Sequence, residues 1–268
     1  MKTEVKFPLR TRFAQDIVCE FLPPARKSDK VVILAGGAPA YPGKNGKLMA
    51  FFAEAGYWVF VPRYRGTWES GGVFLKHSPA EDLVAVMDGI AKGFVDYASR
   101  AKFRVPHAKY FLIGSSFGGP AVILASRDRR VSKAVALSPV TDWTKQEGTA
   151  EPLELMSELV PLTFGEAYRA HPGVWKKLAK GDFYNPACEL SKMKARPKTR
   201  TSDVLVFGKK LLIIHAKDDG VVPFAPAQEF AKAAGAAFVA LRKGGHLGLG
   251  ALVKPRIRAR VGPFLKKK

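Results

Sequence analysis

Gly114-Ser115-Ser116-Phe117-Gly118 carries the G-x-S-x-G spacing of a serine held on a tight turn between a strand and a helix. Small residues two before and two after the serine relieve the crowding that such a turn creates. The same spacing also occurs in ordinary glycine-rich turns, so the chemistry has to be tested on its partners. A hydroxyl there becomes a nucleophile for acyl transfer only when a base takes its proton and a third group orients the base. The pattern therefore predicts an acid and then a histidine further along, each just beyond an apolar strand. "LLIIHAKDDGVVP" supplies the acid, with Asp218 and Asp219 as candidates, and "FVALRKGGHLG" supplies His246 on a glycine-rich loop. Of the other histidines, His77 and His107 precede a helix and a strand, and His171 lies in an irregular central stretch. His215 falls in the strand end that positions the acid. The oxyanion of a tetrahedral intermediate needs two N–H donors, and the residue after the nucleophile, Phe117, offers one.

These residues need elements to carry them. β-rich runs at Lys30 to Gly37 and Gly56 to Gly66 flank a helical stretch that stops at Gly56. "SPAEDLVAVMDGIAKGFVDYASR", residues 78–100, reads as a helix with Ser78 as N-cap, Pro79 in the first turn, and acids at Glu81 and Asp82. The serine motif, its following helix and the strand "VSKAVALSP" come next, and the alternation resumes at "LLIIHAKDDGVVP", with "APAQEFAKAAG" as a helix and "AAFVALRKGGHLG" as the last strand and loop. Such alternation implies an α/β fold, a mostly parallel sheet with helices on both faces. The first part of the chain reads as a flanking antiparallel pair. Residues 144–203 have no β-rich run and read as an inserted cap of short helices within one domain spanning 1–268.

Four coordinated motifs make the chain resemble an α/β-hydrolase, especially the catalytic domain of prolyl-oligopeptidase-like (peptidase S9-type) serine hydrolases and related esterases. That group carries H-G-x-x-D-x-x-V-P around its acid, and "HAKDDGVVP" differs only by Ala216 for glycine, which implies Asp219 as the acid. "GYWVFVPRYRGTWESGG" is similar to the group's GYxVxxPxYRGxxxSxG phrase, and the likeness runs from about Val31 to Gly248 with the cap poorly matched. Some members place the acid after the preceding strand, which gives Asp142 in "SPVTDW" a smaller claim; Asp203 has little. Where the group shows H-G-G before its second oxyanion donor, this chain has Ala35 in the histidine's place, so that donor falls to Gly37 or Ala38; Pro39 has no N–H. The resemblance implies a triad of Ser116, His246 and Asp219 that cleaves a small ester, amide or short peptide, without metal or organic cofactor. The group's peptidases commonly gate substrates with a propeller domain for which 268 residues leave no room, so esterase and aminopeptidase-like activities both stay open.

The totals set limits. With 47% hydrophobic residues the chain can bury a sizeable core. No run approaches the ~18 apolar residues of a membrane span, and the charged N-terminus does not read as a secretory leader. Cys19 and Cys188, unpaired in any C-x-x-C, fit a reducing cytoplasm rather than a disulfide framework. Forty-four Lys and Arg against 23 Asp and Glu give +21, partly gathered in the tail at 254–268. Such an excess attracts nucleic acid or anionic surfaces without implying a site. The tail accordingly reads either as a polyanion contact or as a solvated, frayed end, and the second reading is favoured because interleaved aromatics are missing. A polyanion-binding protein without catalysis is the alternative function. Trp143, Phe164, Tyr168, Trp175 and Tyr184 in or beside the cap either wall a pocket or hold the cap to its core.

Overall fold

In the computed structural model, residues 7–146, 153–171, 173–196 and 208–267 are described. Parts of the expected cap, with Asp203 and the last tail residue, lie outside them. The strands are β1 (Leu9–Phe13), β2 (Ile17–Leu22), β3 (Lys30–Ala35), β4 (Trp58–Pro62), β5 (Phe94–Val95), β6 (Lys102–Phe103), β7 (Lys109–Ser115), β8 (Val131–Leu137), β9 (Leu211–Ala216) and β10 (Ala237–Leu241). Eight of them form one sheet in the order β1-β2-β4-β3-β7-β8-β9-β10. Only β1 with β2 and β2 with β4 pair antiparallel; the other pairs are parallel, so β3, β7, β8, β9 and β10 end at the same edge.

The helices are α1 (Gly46–Glu54), α2 (Pro79–Lys92), α3 (Gly118–Ala125), α4 (Leu153–Phe164), α5 (Val174–Ala179), α6 (Pro186–Ala195), α7 (Phe224–Ala234) and α8 (Pro255–Lys266). Successive strand residues point to opposite faces. On β3, Ile33 and Ala35 therefore join Leu83 and Met87 of α2 and Ala121 of α3 on one side. Val32 and Leu34 join Leu48 and Phe52 of α1 and Ile257, Val261 and Leu265 of α8 on the other. Helices on both faces explain why these strands read as continuous apolar runs rather than alternating ones.

Two segments differ from the sequence expectation. The helix has the expected N-cap at Ser78, which forms a capping box with Glu81, but it ends at Lys92 instead of continuing to Arg100. Gly93 turns away at φ +119, and Phe94 and Val95 pair with Phe103 and Lys102. There Phe94 and Phe103 pack edge-to-face against Phe21 and Trp58, a burial that outweighs helical propensity. The basic tail is not a frayed end: residues 255–266 form α8, because Ile257, Val261 and Leu265 recur at helical spacing and bury their side chains on the sheet.

The inserted region contributes α4, α5 and α6 and is stitched to the loop after β4 by backbone bonds, Trp68 N to Ala167 O at 2.7 Å and Arg169 N to Gly66 O at 2.8 Å. Among the described residues no helix is long and apolar enough to cross a membrane.

Candidate active site

Ser116 follows β7 directly and has φ +52, a conformation that costs a non-glycine residue about 1–3 kcal/mol. The turn is tight enough that a methyl on Gly114 would stand 2.2 Å from Gly118 O, and one on Gly118 would stand 2.3 Å from Ala35 O. Neither backbone can yield, so both positions require glycine. From the loop after β3, a methyl built on Gly37 would be 3.2 Å from Ser116 Cβ and 3.7 Å from its Oγ. Gly37, Ala38 and Phe117 all have backbone N–H groups that donate to nothing among the described residues. The Phe117 carbonyl is held from behind by the Tyr184 hydroxyl at 2.6 Å, and Tyr64 donates to Gly36 O at 2.9 Å.

The acid and base loops meet at the ends of β9 and β10. His246 Nδ1 lies 3.1 Å from both Asp219 oxygens, with the carboxylate fully buried and the imidazole a quarter exposed. A carboxylate only accepts, so Nδ1 carries a proton, and in the neutral ring Nε2 is then the nitrogen with the lone pair. Asp219 Oδ1 also accepts from the amides of Val221 and Val222, each at 3.0 Å. Burial works to raise the Asp219 pKa, but hydrogen bonds from His215, His246, the Ser138 hydroxyl and the Val222 amide outweigh it and hold the carboxyl well below the usual range.

The other acids do different work. Asp218 accepts from Gly244 and Gly245 amides at 2.9 Å each, which tethers the loop that carries His246. Asp142 caps the turn at Trp143–Lys145 and takes the Asn185 amide at 3.0 Å, so its carboxylate is occupied away from His246. His77 is paired with Glu81 at 3.8 Å on the surface, and His107 lies in the exposed turn before β7.

The turn of Ser116 and the loop of His246 are both tied to the end of β8. Ser116 N donates to Leu137 O at 2.9 Å, and Leu247 N donates to the hydroxyl of the next residue, Ser138, at 3.0 Å. Ser116 Oγ and His246 Nε2 are each without a hydrogen-bond partner among the described residues. Unliganded sites often hold this pair apart until substrate closes it. Ser138 was not singled out by the sequence; its only signal was the serine-proline pair that ends a strand. It is fully buried at φ +42.

Beside Ser116 a cleft partly open to solvent is walled by Trp143, Met156, Trp175, Val221 and Val222. The aromatics therefore divide. Trp143 and Trp175 face the cleft, whereas Tyr184 braces the elbow and Phe164 packs on Tyr41.

Residues 45–249 match the model of the prolyl oligopeptidase family. No curated protein matches the sequence. Among solved structures, an esterase of Pyrococcus furiosus aligns at TM-score 0.64 and 18% identity over 97% of this chain and 89% of its own. An esterase of Exiguobacterium antarcticum aligns at TM-score 0.60 and 18% identity, covering 97% of this chain and 100% of its own. An acylaminoacyl peptidase of Pyrococcus horikoshii aligns at TM-score 0.58 and 15% identity over 98% of this chain but 40% of its own. The architecture shared with them is the α/β-hydrolase fold.

Proposed function

The chain belongs to the prolyl oligopeptidase family and is a serine hydrolase, and from that premise we propose that it cleaves an ester or amide bond of a small substrate with Ser116 as nucleophile, His246 as base and Asp219 as the acid that orients it. Ser116 Oγ attacks the carbonyl carbon while its proton passes to His246 Nε2. The oxyanion is received by the Phe117 N–H and by Gly37 or Ala38 in the loop after β3. Collapse expels the alcohol or amine, which takes the proton from His246 and leaves an acyl-enzyme. Water, deprotonated by His246, then releases the carboxylic acid and restores Ser116. The cleft beside Ser116 suits an apolar acyl group or side chain, because Trp143, Met156 and Trp175 line it.

One observation carries this reading: the strained serine, the oriented imidazole and the buried carboxylate all follow parallel strands that end at one edge, with His246 Nδ1 3.1 Å from Asp219. A fluorophosphonate probe tests it. Modification of the folded protein mapped to Ser116, and lost in Ser116→Ala, is the expected result; a folded wild type that stays unmodified overturns it. Short-chain p-nitrophenyl esters set against aminoacyl-nitroanilides then decide between esterase and peptidase.

A polyanion contact is a second reading that coexists with catalysis. Lys254, Arg256, Arg258, Arg260 and Lys266 are exposed on or beside α8, and among the described residues none has a carboxylate partner. Binding of an oligonucleotide whose affinity falls steeply with salt, and falls further when these arginines become glutamines, is the expected result. Salt-independent binding, or none, would remove this reading.

A further inference from the structure

The triad takes no residue from "PRYRG", residues 62–66, yet this stretch reaches the loop after β3. Tyr64, just beyond β4, is buried, and its hydroxyl donates to Gly36 O at 2.9 Å. Gly36 O and the Gly37 N–H belong to one peptide group. That peptide is trans, since among the described residues the cis bond is Ala38–Pro39, so its carbonyl and its N–H point in opposite directions. The carbonyl is taken by Tyr64, and the N–H on the other side has no partner among the described residues. The residue that carries it packs on the nucleophile, a methyl on Gly37 standing 3.2 Å from Ser116 Cβ. The Tyr64 ring meets the Phe117 ring edge-on at a centroid distance of 5.7 Å, so the same tyrosine touches the residue of the other oxyanion donor.

A peptide between two glycines needs such a hold. Neither residue has a Cβ to restrict the plane, and half a turn of it would present a carbonyl to the developing oxyanion. Tyr64 can supply the hold because its own backbone is fixed. Its carbonyl accepts from the Thr67 amide at 3.0 Å and the Thr67 hydroxyl at 2.8 Å, while the amide of Arg65 donates to buried Asp82 of α2 at 2.9 Å. The Arg65 guanidinium pairs with Asp82 and Asp16 as well.

We infer that Tyr64 is a positioning residue for the hydrolytic reaction: its hydroxyl locks the Gly36–Gly37 peptide with the Gly37 N–H turned to the oxyanion, which makes Gly37 rather than Ala38 the second donor. The inference rests on the serine-hydrolase reading above. The Ala38 N–H belongs to the next peptide, whose carbonyl, Gly37 O, accepts from nothing among the described residues and so has no comparable anchor.

Tyr64→Phe keeps the ring and removes the hydroxyl. A neutral hydrogen bond biases an orientation by up to about 10-fold, so kcat for p-nitrophenyl acetate should fall about 3–10-fold at little change in KM, short of the ~10²–10³-fold loss from removing an oxyanion donor itself. Two inhibitors separate positioning from general damage. A trifluoromethyl ketone accepts Ser116 Oγ on its carbonyl carbon while the serine proton passes to His246 Nε2, and its oxyanion then lies where the transition-state charge develops. Its inhibition constant should rise by the factor that kcat falls, whereas the methyl ketone of the same chain, which stays trigonal, should bind as it does to the wild type. Tyr110→Phe is the control: it deletes a buried hydroxyl that donates to Met87 O at 2.8 Å from the other end of β7, and kcat and both inhibition constants should keep their wild-type values. In the wild type, adding the trifluoromethyl ketone should move the Gly37 amide proton downfield in nitrogen-edited NMR.

A folded Tyr64→Phe with wild-type kcat and wild-type inhibition by the fluorinated ketone overturns the inference and leaves the hydrolase reading standing. So does a Gly37 amide that stays in place while that of Phe117 moves, a result that decides the matter even if Tyr64→Phe fails to fold. A wild type that neither reacts with the fluorophosphonate nor turns over p-nitrophenyl acetate defeats the hydrolase reading instead, and with it the inference built on it.

Discussion

Asp219 carries more of the site than its single acidic side chain suggests. Its buried carboxylate accepts from two amides and from the His246 imidazole, with the His215 ring nitrogen 3.2 Å away. Together these donors depress its pKa, which fixes a direction for stability. The folded carboxyl binds a proton less readily than an unfolded one, whose pKa is about 3.9. Its contribution is therefore complete above about pH 4 and drains away as the pH falls through and below that value. Chemical denaturation of wild type and Asp219→Asn should show a stability gap at neutral pH that narrows in acid; a gap that widened there would contradict the assignment. The same substitution leaves His246 Nδ1 facing an amide, able to select the wrong tautomer, and should lower kcat by ~10⁴-fold. Ser116, His246 and Asp219 could be picked out of the sequence as candidates because each proposed role demands a residue type at a defined distance from a strand end. Asp218 and Ser138 were not: their partners, Gly244, Gly245 and Leu247, are more than two dozen residues away in sequence.

The elbow between β7 and α3 works through close approach of backbone. Gly118 sits against the carbonyls of Ala35 and Gly36, so the loop that offers Gly37 is packed directly on the turn that offers Ser116. Gly118→Ala should cost about 1–3 kcal/mol in urea denaturation from overpacking. It should also slow fluorophosphonate labelling of the folded fraction, because the displaced backbone carries a proposed oxyanion donor; unchanged labelling would separate the two loops. At the other end of the chain, α8 shows how a basic segment becomes an element. Lys and Arg occupy its outer face while Ile257, Val261 and Leu265 cover the sheet. Ile257→Ala should destabilise the protein by about 2–4 kcal/mol, the cost of emptying a buried aliphatic site; a neutral effect would mean that α8 is only loosely attached. The apolar spacing of this helix was present in the sequence, but the dense charge between those residues hid it.

At the scale of the molecule, +21 net charge works against compactness. Raising salt from about 0.1 M to about 1 M shortens the screening length from ~10 Å to ~3 Å and relieves that repulsion. Tm should therefore rise with salt, and rise less steeply when Arg256, Arg258 and Arg260 are replaced by glutamine; a Tm that fell with salt would show that attractive surface pairs dominate instead. By itself the sequence determined the α/β alternation, the glycine-bound serine, and the order of acid and base, because helix periodicity, strand composition and turn chemistry act over a few neighbouring residues. Only the tertiary structure decided that β8 lies between β7 and β9. That placement brings Ser138 to Asp219 and Leu247, lays α8 on the sheet, and puts Trp143 and Trp175 beside the nucleophile. These contacts join residues far apart in the chain, and their energy exists only once the sheet has set its neighbours.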